Sequence, residues 1–294
     1  MSGRVETIGV VNWVDSESRR READTTAIEA APDPTRSVNL SEATWTEIRD
    51  TDPEVALVPV GSTEQHGPHA PLGTDALAAE AVAKAADDRL GETDPTAVVA
   101  PPINVGVSEE HRAFDGTLWV SPDTFRAYVR ETVESLFGHG IDRAVLVNGH
   151  GGNVEALAEV ARGLSRGETG ATRGSEPASH DPHAVAFTWF EAVGDHADDM
   201  GHAGPLETAL LRHVAPELVR EDQIAAAADG AAGGWGGGGR GEWVRGVNLA
   251  HDSHEFTDNG VVGDPREGDA ARGEELLGLA TDALCAVVRA VADR

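Results

Sequence analysis

Cysteine, lysine and tyrosine each occur once in this chain, and methionine only twice. One cysteine, Cys285, excludes a disulfide framework and a thiolate metal cage. Inside the apolar run LATDALCAVVRAV it reads as a small core residue. Basic charge is scarce: 23 Lys and Arg face 51 Asp and Glu, a formal net charge of −28, and Lys84 is the sole lysine. A chain without a basic footprint is not built to bind phosphates, which excludes nucleic acid as a partner. Abundant surface carboxylate with almost no lysine keeps a protein soluble where molar salt screens its self-repulsion, so the composition predicts a salt-adapted protein. No stretch approaches the roughly 20 apolar residues of a membrane span, and the opening MSGRVETIGVVNW has neither the basic nor the apolar region of a signal peptide. The expectation is a cytoplasmic protein with no membrane partner, in which the glycosylation-like tripeptide Asn39-Leu40-Ser41 carries no weight.

A hydrophobic content of 40% over 294 residues is enough to bury a large core. Residues 1–36 are polar and aperiodic and read as a mobile extension, leaving 37–294 as a single domain. LSEATWTEIRD predicts a short helix with Ser41 as its cap. From there apolar runs of strand length alternate with helical patterns. The strands are VALVPV (55–60), TAVVAPPINV, AVLVNG (144–149) and HAVAFTWF. The helices open at Thr74 or Asp75, at Ser121-Pro122 and at Asn153, and a further one, GPLETALLRHVAPEL, stops near Pro216. This order predicts an α/β fold of three layers, a mainly parallel sheet with helices on both faces. Residues 166–183 read as a surface insertion, AAADGAAGGWGGGGRGEW as a flexible glycine-rich loop, and the chain closes with a helix from about Gly268 to Ala292.

Residues with ligand chemistry recur just past the predicted strand ends, where such sheets bind ligands. Glu64, His66 and Asp75 follow VALVPV, His150 follows AVLVNG, and His202 and Glu207 follow HAVAFTWF. The i, i+2 spacing of Glu64 and His66 aims both side chains the same way in an extended segment, and Asp75 at a helix start could bridge two cations. Three carboxylates and two imidazoles suit zinc, manganese or iron(II). Two divalent ions with a bridging hydroxide would leave Glu64, Asp75 and Glu207 electrically balanced, whereas one ion would leave surplus negative charge. Each residue also has a plain reading: Asp75 as a helix cap, Glu207 as a surface helix residue, any one histidine as a surface group. His139, His180, His183, His213, His251 and His254 stay in that class, with His69 beside the pocket.

The segments EQHGPHAPLGTD, VNGHGGN, HAGPLET and TDNGVVGDP, in that order from about Leu40 to the C-terminus, resemble the creatininase family of metal-dependent amidohydrolases. The resemblance implies two divalent ions per chain, Zn2+ and/or Mn2+ with Fe2+ as a further option. Glu64, Asp75 and His150 would hold one ion and His66, Asp75 and Glu207 the other. It implies hydrolysis of a non-peptide carbon–nitrogen bond in a small amide, His202 near the substrate as a proton donor to the leaving nitrogen, and a homohexamer. Creatinine-hydrolysing members place a proton-moving glutamate two residues past the histidine of the NGH step, where this chain has Gly152. Creatinine is therefore not the expected substrate, and the GHGGN form is more similar to relatives that act on formylaminopyrimidines or in mycofactocin maturation. Gly151, Gly152, Glu110 and His111 are expected beside the substrate.

Three rivals are weighed against this reading. GLSRG (163–167) matches the nucleophile-elbow spacing, but its serine follows a helix instead of joining a strand to one. The glycine-rich loop imitates a dinucleotide fingerprint without the strand and helix that motif needs. A non-catalytic small-molecule-binding protein of the same fold is the third.

Overall fold

Strands β1 (Val55–Val60), β2 (Ala97–Val99), β3 (Arg143–Asn148) and β4 (His183–Thr188) form one sheet in the order β2-β1-β3-β4, with every pairing parallel. The computed structural model describes residues 38–91, 93–167, 181–233, 243–244 and 247–294. The expected extension over 1–36, most of the insertion at 166–183 and the stretch 234–242 of the glycine-rich loop lie outside the described residues.

The unbroken apolar runs follow from burial on both faces. Successive side chains alternate between faces, so Val55, Leu57, Val145 and Val147 enter one core while Ala56, Val58, Val60, Ala144 and Leu146 enter the other. The first core is completed by α2 (Thr74–Arg89), α5 (Pro205–Val214) and α7 (Ala270–Ala292), the second by α3 (Pro122–Phe137) and α4 (Val154–Ser165). The result is the expected three-layer α/β architecture. Cys285 lies in the first core, buried against α2, as a small apolar residue.

Local chemistry departs from expectation in four places. The first helix, α1 (Trp45–Thr51), is capped by Thr44 and not Ser41. Thr44 and Glu47 form a reciprocal capping box, while the Ser41 amide is taken by the Asn39 side chain in a preceding turn. Asp75 is not a cap: α2 begins at Thr74 behind Gly73, which leaves the Asp75 carboxylate in the first turn for other partners. Trp189 and Phe190 leave the fourth strand for a 3-10 turn, and Trp189 packs fully buried in the first core. The start of the glycine-rich stretch is helical, as α6 (Ile224–Asp229).

The chain leaves β1 toward one face through α2 and leaves β3 toward the other through α4, so the crevice between the two strand ends is the switch point of the sheet. Two glycines let the first turn of α2 enter it. A Cβ on Gly61 would lie 2.3 Å from the Ala76 nitrogen, and one on Gly149 would lie 2.1 Å from the Asp75 carbonyl oxygen. Gly149→Ala should therefore push the helix start away from β3 and cost about 1–3 kcal/mol, read as a lower denaturant midpoint of the metal-free protein; an unchanged midpoint would contradict this packing.

Candidate metal centre

The loop after β1 is pinned along its length. The Thr63 carbonyl accepts from Leu118 N (2.8 Å), Glu64 N donates to the Leu72 carbonyl (2.9 Å), and Gly67, at φ +64°, turns the chain where its amide donates to Gln65 Oε1 (2.9 Å). Glu64, His66 and the α2 residue Asp75 are thereby fixed beside His150 from the β3 loop and Glu207 from α5.

Their ligand-type atoms fall into groups within 4.8 Å of one another: Glu64 with Asp75 and His150, His66 with Asp75 and Glu207, and Glu64 with His66 and His202. His150 Nδ1 lies 3.2 Å from Glu64 Oε1 and 3.2 Å from Asp75 Oδ2, while His66 Nε2 lies 3.0 Å from Asp75 Oδ1 and 3.8 Å from Glu207 Oε1. Asp75 thus turns one oxygen to each of two groups. All six side chains are buried, yet both oxygens of Glu64, His66 Nε2 and Asp75 Oδ2 have no hydrogen-bond partner. Buried polar atoms are seldom left so, and a cation is the partner this donor set suits.

The outward-facing atoms are tied down by main chain. His66 Nδ1 donates to the Glu64 carbonyl (3.1 Å), His150 Nε2 to the Val107 carbonyl (2.7 Å) and His202 Nε2 to the Gln65 carbonyl (2.6 Å). Because a carbonyl only accepts, each bond places the proton on the outer nitrogen and turns the other inward. Glu207 Oε2 accepts from Ala203 N (2.5 Å), which a left-handed Ala203 (φ 51°) aims at it. His202 pairs with Val262 in both directions, and a Cβ on Gly201 or Gly204 would lie 2.0 or 2.5 Å from the Val262 carbonyl oxygen, so HAGPLET is clamped against TDNGVVGDP.

A family model described as "Creatininase: Creatinine amidohydrolase" matches residues 41–288. The chain belongs to the creatininase family. This is a family of metal-dependent amidohydrolases, with homologues that act on amide bonds. The mycofactocin precursor peptide peptidase of Mycobacterium tuberculosis is 34% identical over 255 residues, covering 83% of this chain and 87% of that one. The creatinine amidohydrolase of Pseudomonas putida is 29% identical over 213 residues, covering 64% and 76%. Among solved structures, a Bacteroides fragilis protein assigned to creatinine amidohydrolase superposes with a TM-score of 0.72 at 23% identity, over 88% of this chain and 97% of that one. Creatininases in a manganese form and a Zn–Zn form superpose at TM-scores of 0.66 and 0.67, each 24% identical and covering 87% of this chain and 98% of theirs. These structures share the creatininase fold with this chain.

Within this buried cluster the charges oppose burial. Burial works against charge on His66 and His150, but Asp75 with Glu207 outweighs it at the first, and Glu64 with Asp75 at the second, raising both pKa values well above 6.5. Burial likewise works against the Asp75 anion, yet His66 and His150 hold its carboxyl well below the usual range. His202 and His111 are pushed down, first by burial and then by neighbouring histidines, and burial raises the Glu110 carboxyl.

The remaining predicted residues are distributed around this core. Glu110 Oε1 lies 3.9 Å from His150 Nε2, and His111, buried, stacks on His202 with ring centroids 4.2 Å apart. Gly151 and Gly152 are exposed in the 3-10 turn that follows His150. His69 is buried behind His66, its Nε2 3.0 Å from Thr208 Oγ1. His139, His183, His213, His251 and His254 join none of the three groups, and His180 lies outside the described residues. Ser165 ends α4 and exchanges two hydrogen bonds with Ala184, which removes the nucleophile-elbow reading. Sequence reasoning missed Gln65, Asn148 and Asn153. Asn148 brackets His150 through both its amide and its carbonyl, and Asn153 ties the Val107 amide to the Gly61 carbonyl. Both asparagines stand within VNGHGGN, so their signal was the motif itself.

His69 offers a test of this packing. Burial, then the charges of His66 and Arg212, lowers its pKa from 6.5 to about 4. The unfolded chain therefore binds a proton that the folded chain refuses, and stability falls as pH drops from 6.5 toward 4. His69→Gln, which keeps a donor to Thr208, should flatten the fall of Tm with pH across that window, and an unchanged slope would contradict the assignment.

Proposed function

We propose that this creatininase-family enzyme is a binuclear-metal amidohydrolase: Glu64, Asp75 and His150 hold one divalent ion, and His66, Asp75 and Glu207 the other. The observation that carries the reading is Asp75, whose two oxygens face two separate donor groups while neighbouring buried donor atoms have no hydrogen-bond partner. The mixed carboxylate and imidazole set suits Zn2+, Mn2+ or Fe2+, and the manganese and Zn–Zn forms of neighbouring creatininases support the first two. Bound there, such a pair supplies Lewis acidity that activates water and polarises an amide carbonyl.

The chain's own residues do the rest. Carbonyl anchors on His66, His150 and His202 fix each ring before any ligand arrives. His202 presents Nδ1 to the interior, 3.7 Å from Glu64 Oε1. Held neutral by burial, it takes at Nδ1 the proton given up by the attacking water and passes it to the leaving nitrogen.

Gly152 directs the substrate choice. A Cβ there would lie 2.2 Å from the Val107 carbonyl oxygen and 2.5 Å from His150 Nε2, the two atoms whose hydrogen bond orients His150. The glutamate expected of a creatinine-hydrolysing relative does not fit without breaking that bond. Together with the longer and closer match to the mycofactocin precursor peptide peptidase, this favours a peptide-type amide over creatinine.

Metal analysis should find close to two divalent ions per chain, and one or none would overturn the binuclear reading. Glu64→Gln and His150→Ala should each lower turnover at least about a hundredfold with an unchanged circular dichroism spectrum. The substrate is read from a high-salt screen of short peptides, formamides, cyclic amides and creatinine. Cleavage of peptide-type amides is the expected result, whereas creatinine turnover, or binding of amides without cleavage, contradicts it. Gly152→Glu should lose metal and gain no creatinine activity.

A further inference from the structure

Four histidines face the centre, and in three of them the outer nitrogen donates to a main-chain carbonyl while the other nitrogen turns inward. His111 is the reverse. Its outer nitrogen, Nδ1, lies 2.8 Å from Gln65 Nε2 and 2.9 Å from Ser253 Oγ. The Gln65 amide cannot be turned over: Oε1 accepts from Gly67 N (2.9 Å), and Nε2 donates to the Gly260 carbonyl (3.0 Å). Nε2 carries hydrogens and no lone pair, so what it offers His111 Nδ1 is a donor, and Nδ1 must accept. The ring proton is then on Nε2, which faces inward, 3.4 Å from Glu64 Oε1.

The surroundings make this arrangement rigid. Gln65 and His111 are buried, and His111 is stacked on His202 at 21° between ring planes. Gly260 sits at φ +84°, and a Cβ there would lie 1.9 Å from Gln65 Oε1, so the glycine of TDNGVVGDP is required by the Gln65 amide that it faces.

We propose that His111 is a positioning residue that presents a permanent Nε2–H to the Glu64 carboxylate, and that Gln65 enforces that tautomer. His111 then orients Glu64 without competing with it for a cation, since an N–H nitrogen has no lone pair to give. The consequence for metal binding rests on the binuclear reading above; the tautomer does not.

The test uses the full chain with 15N-labelled histidine. Long-range 1H–15N spectra of the metal-free protein, with the His111 signals assigned by comparison with His111→Phe, should show a neutral ring with Nε2 protonated and Nδ1 bare. Protonated Nδ1 or an imidazolium overturns the inference. Gln65→Glu, which replaces the donor by an acceptor, should move the proton to Nδ1. Both Gln65→Glu and His111→Phe should weaken Mn2+ or Zn2+ binding about 10–100-fold in competition with a chromophoric chelator. Unchanged affinity in both variants overturns the positioning role. If the wild-type protein shows the expected tautomer but binds neither ion, the binuclear reading fails and the assignment of Gln65 stands.

Discussion

Three carboxylates crowded together out of reach of bulk solvent are the constraint on which this structure turns. Glu64, Asp75 and Glu207 are 0%, 1% and 4% exposed, and a buried carboxylate is tolerated only when positive charge or hydrogen bonds replace its solvent. Main chain satisfies one of them, through the Ala203 amide on Glu207. In the metal-free chain His66 and His150 respond by holding protons that burial alone would strip from them. Divalent cations would meet the same demand more completely and would have to displace those protons, which would tie metal uptake to pH.

The fold delivers these groups to one point from elements far apart in sequence. The parallel sheet brings the ends of β1 and β3 side by side, and Gly61 and Gly149 let α2 carry Asp75 against both. Val262 grips the HAG step through Gly201 and Gly204, and Gly260 makes room for Gln65. Glycines that look in the sequence like loop punctuation are the positions where backbone meets backbone or a buried amide. Their absent side chains set the spacing of the centre.

The architecture was legible because runs such as VALVPV, buried on both faces, cannot be mistaken for solvated segments, and because helix starts such as Ser121-Pro122 carry their own cap. Glu64, His66, Asp75, His150, His202 and Glu207 could be nominated because strand ends in a parallel sheet converge, and the structure does bring them together. Three kinds of feature were not legible. The cap of α1 fell to Thr44, which closes a capping box with Glu47, because residues 39–43 are taken up in a turn on the Asn39 carbonyl. The family ligand pattern names Glu64 and His66 but is silent on Gln65 between them, whose role depends on Gly260 nearly two hundred residues away. Gly152 signalled a departure, yet only the closeness of the Val107 carbonyl explains why a side chain is refused there.

The central claim is that Asp75 joins two cation sites. Anomalous diffraction from crystals of the chain soaked in manganese addresses it most directly. Two peaks are predicted, one beside Glu64 and His150 and one beside His66 and Glu207, with an Asp75 oxygen on each. A single peak, or two peaks of which Asp75 touches only one, would contradict the account.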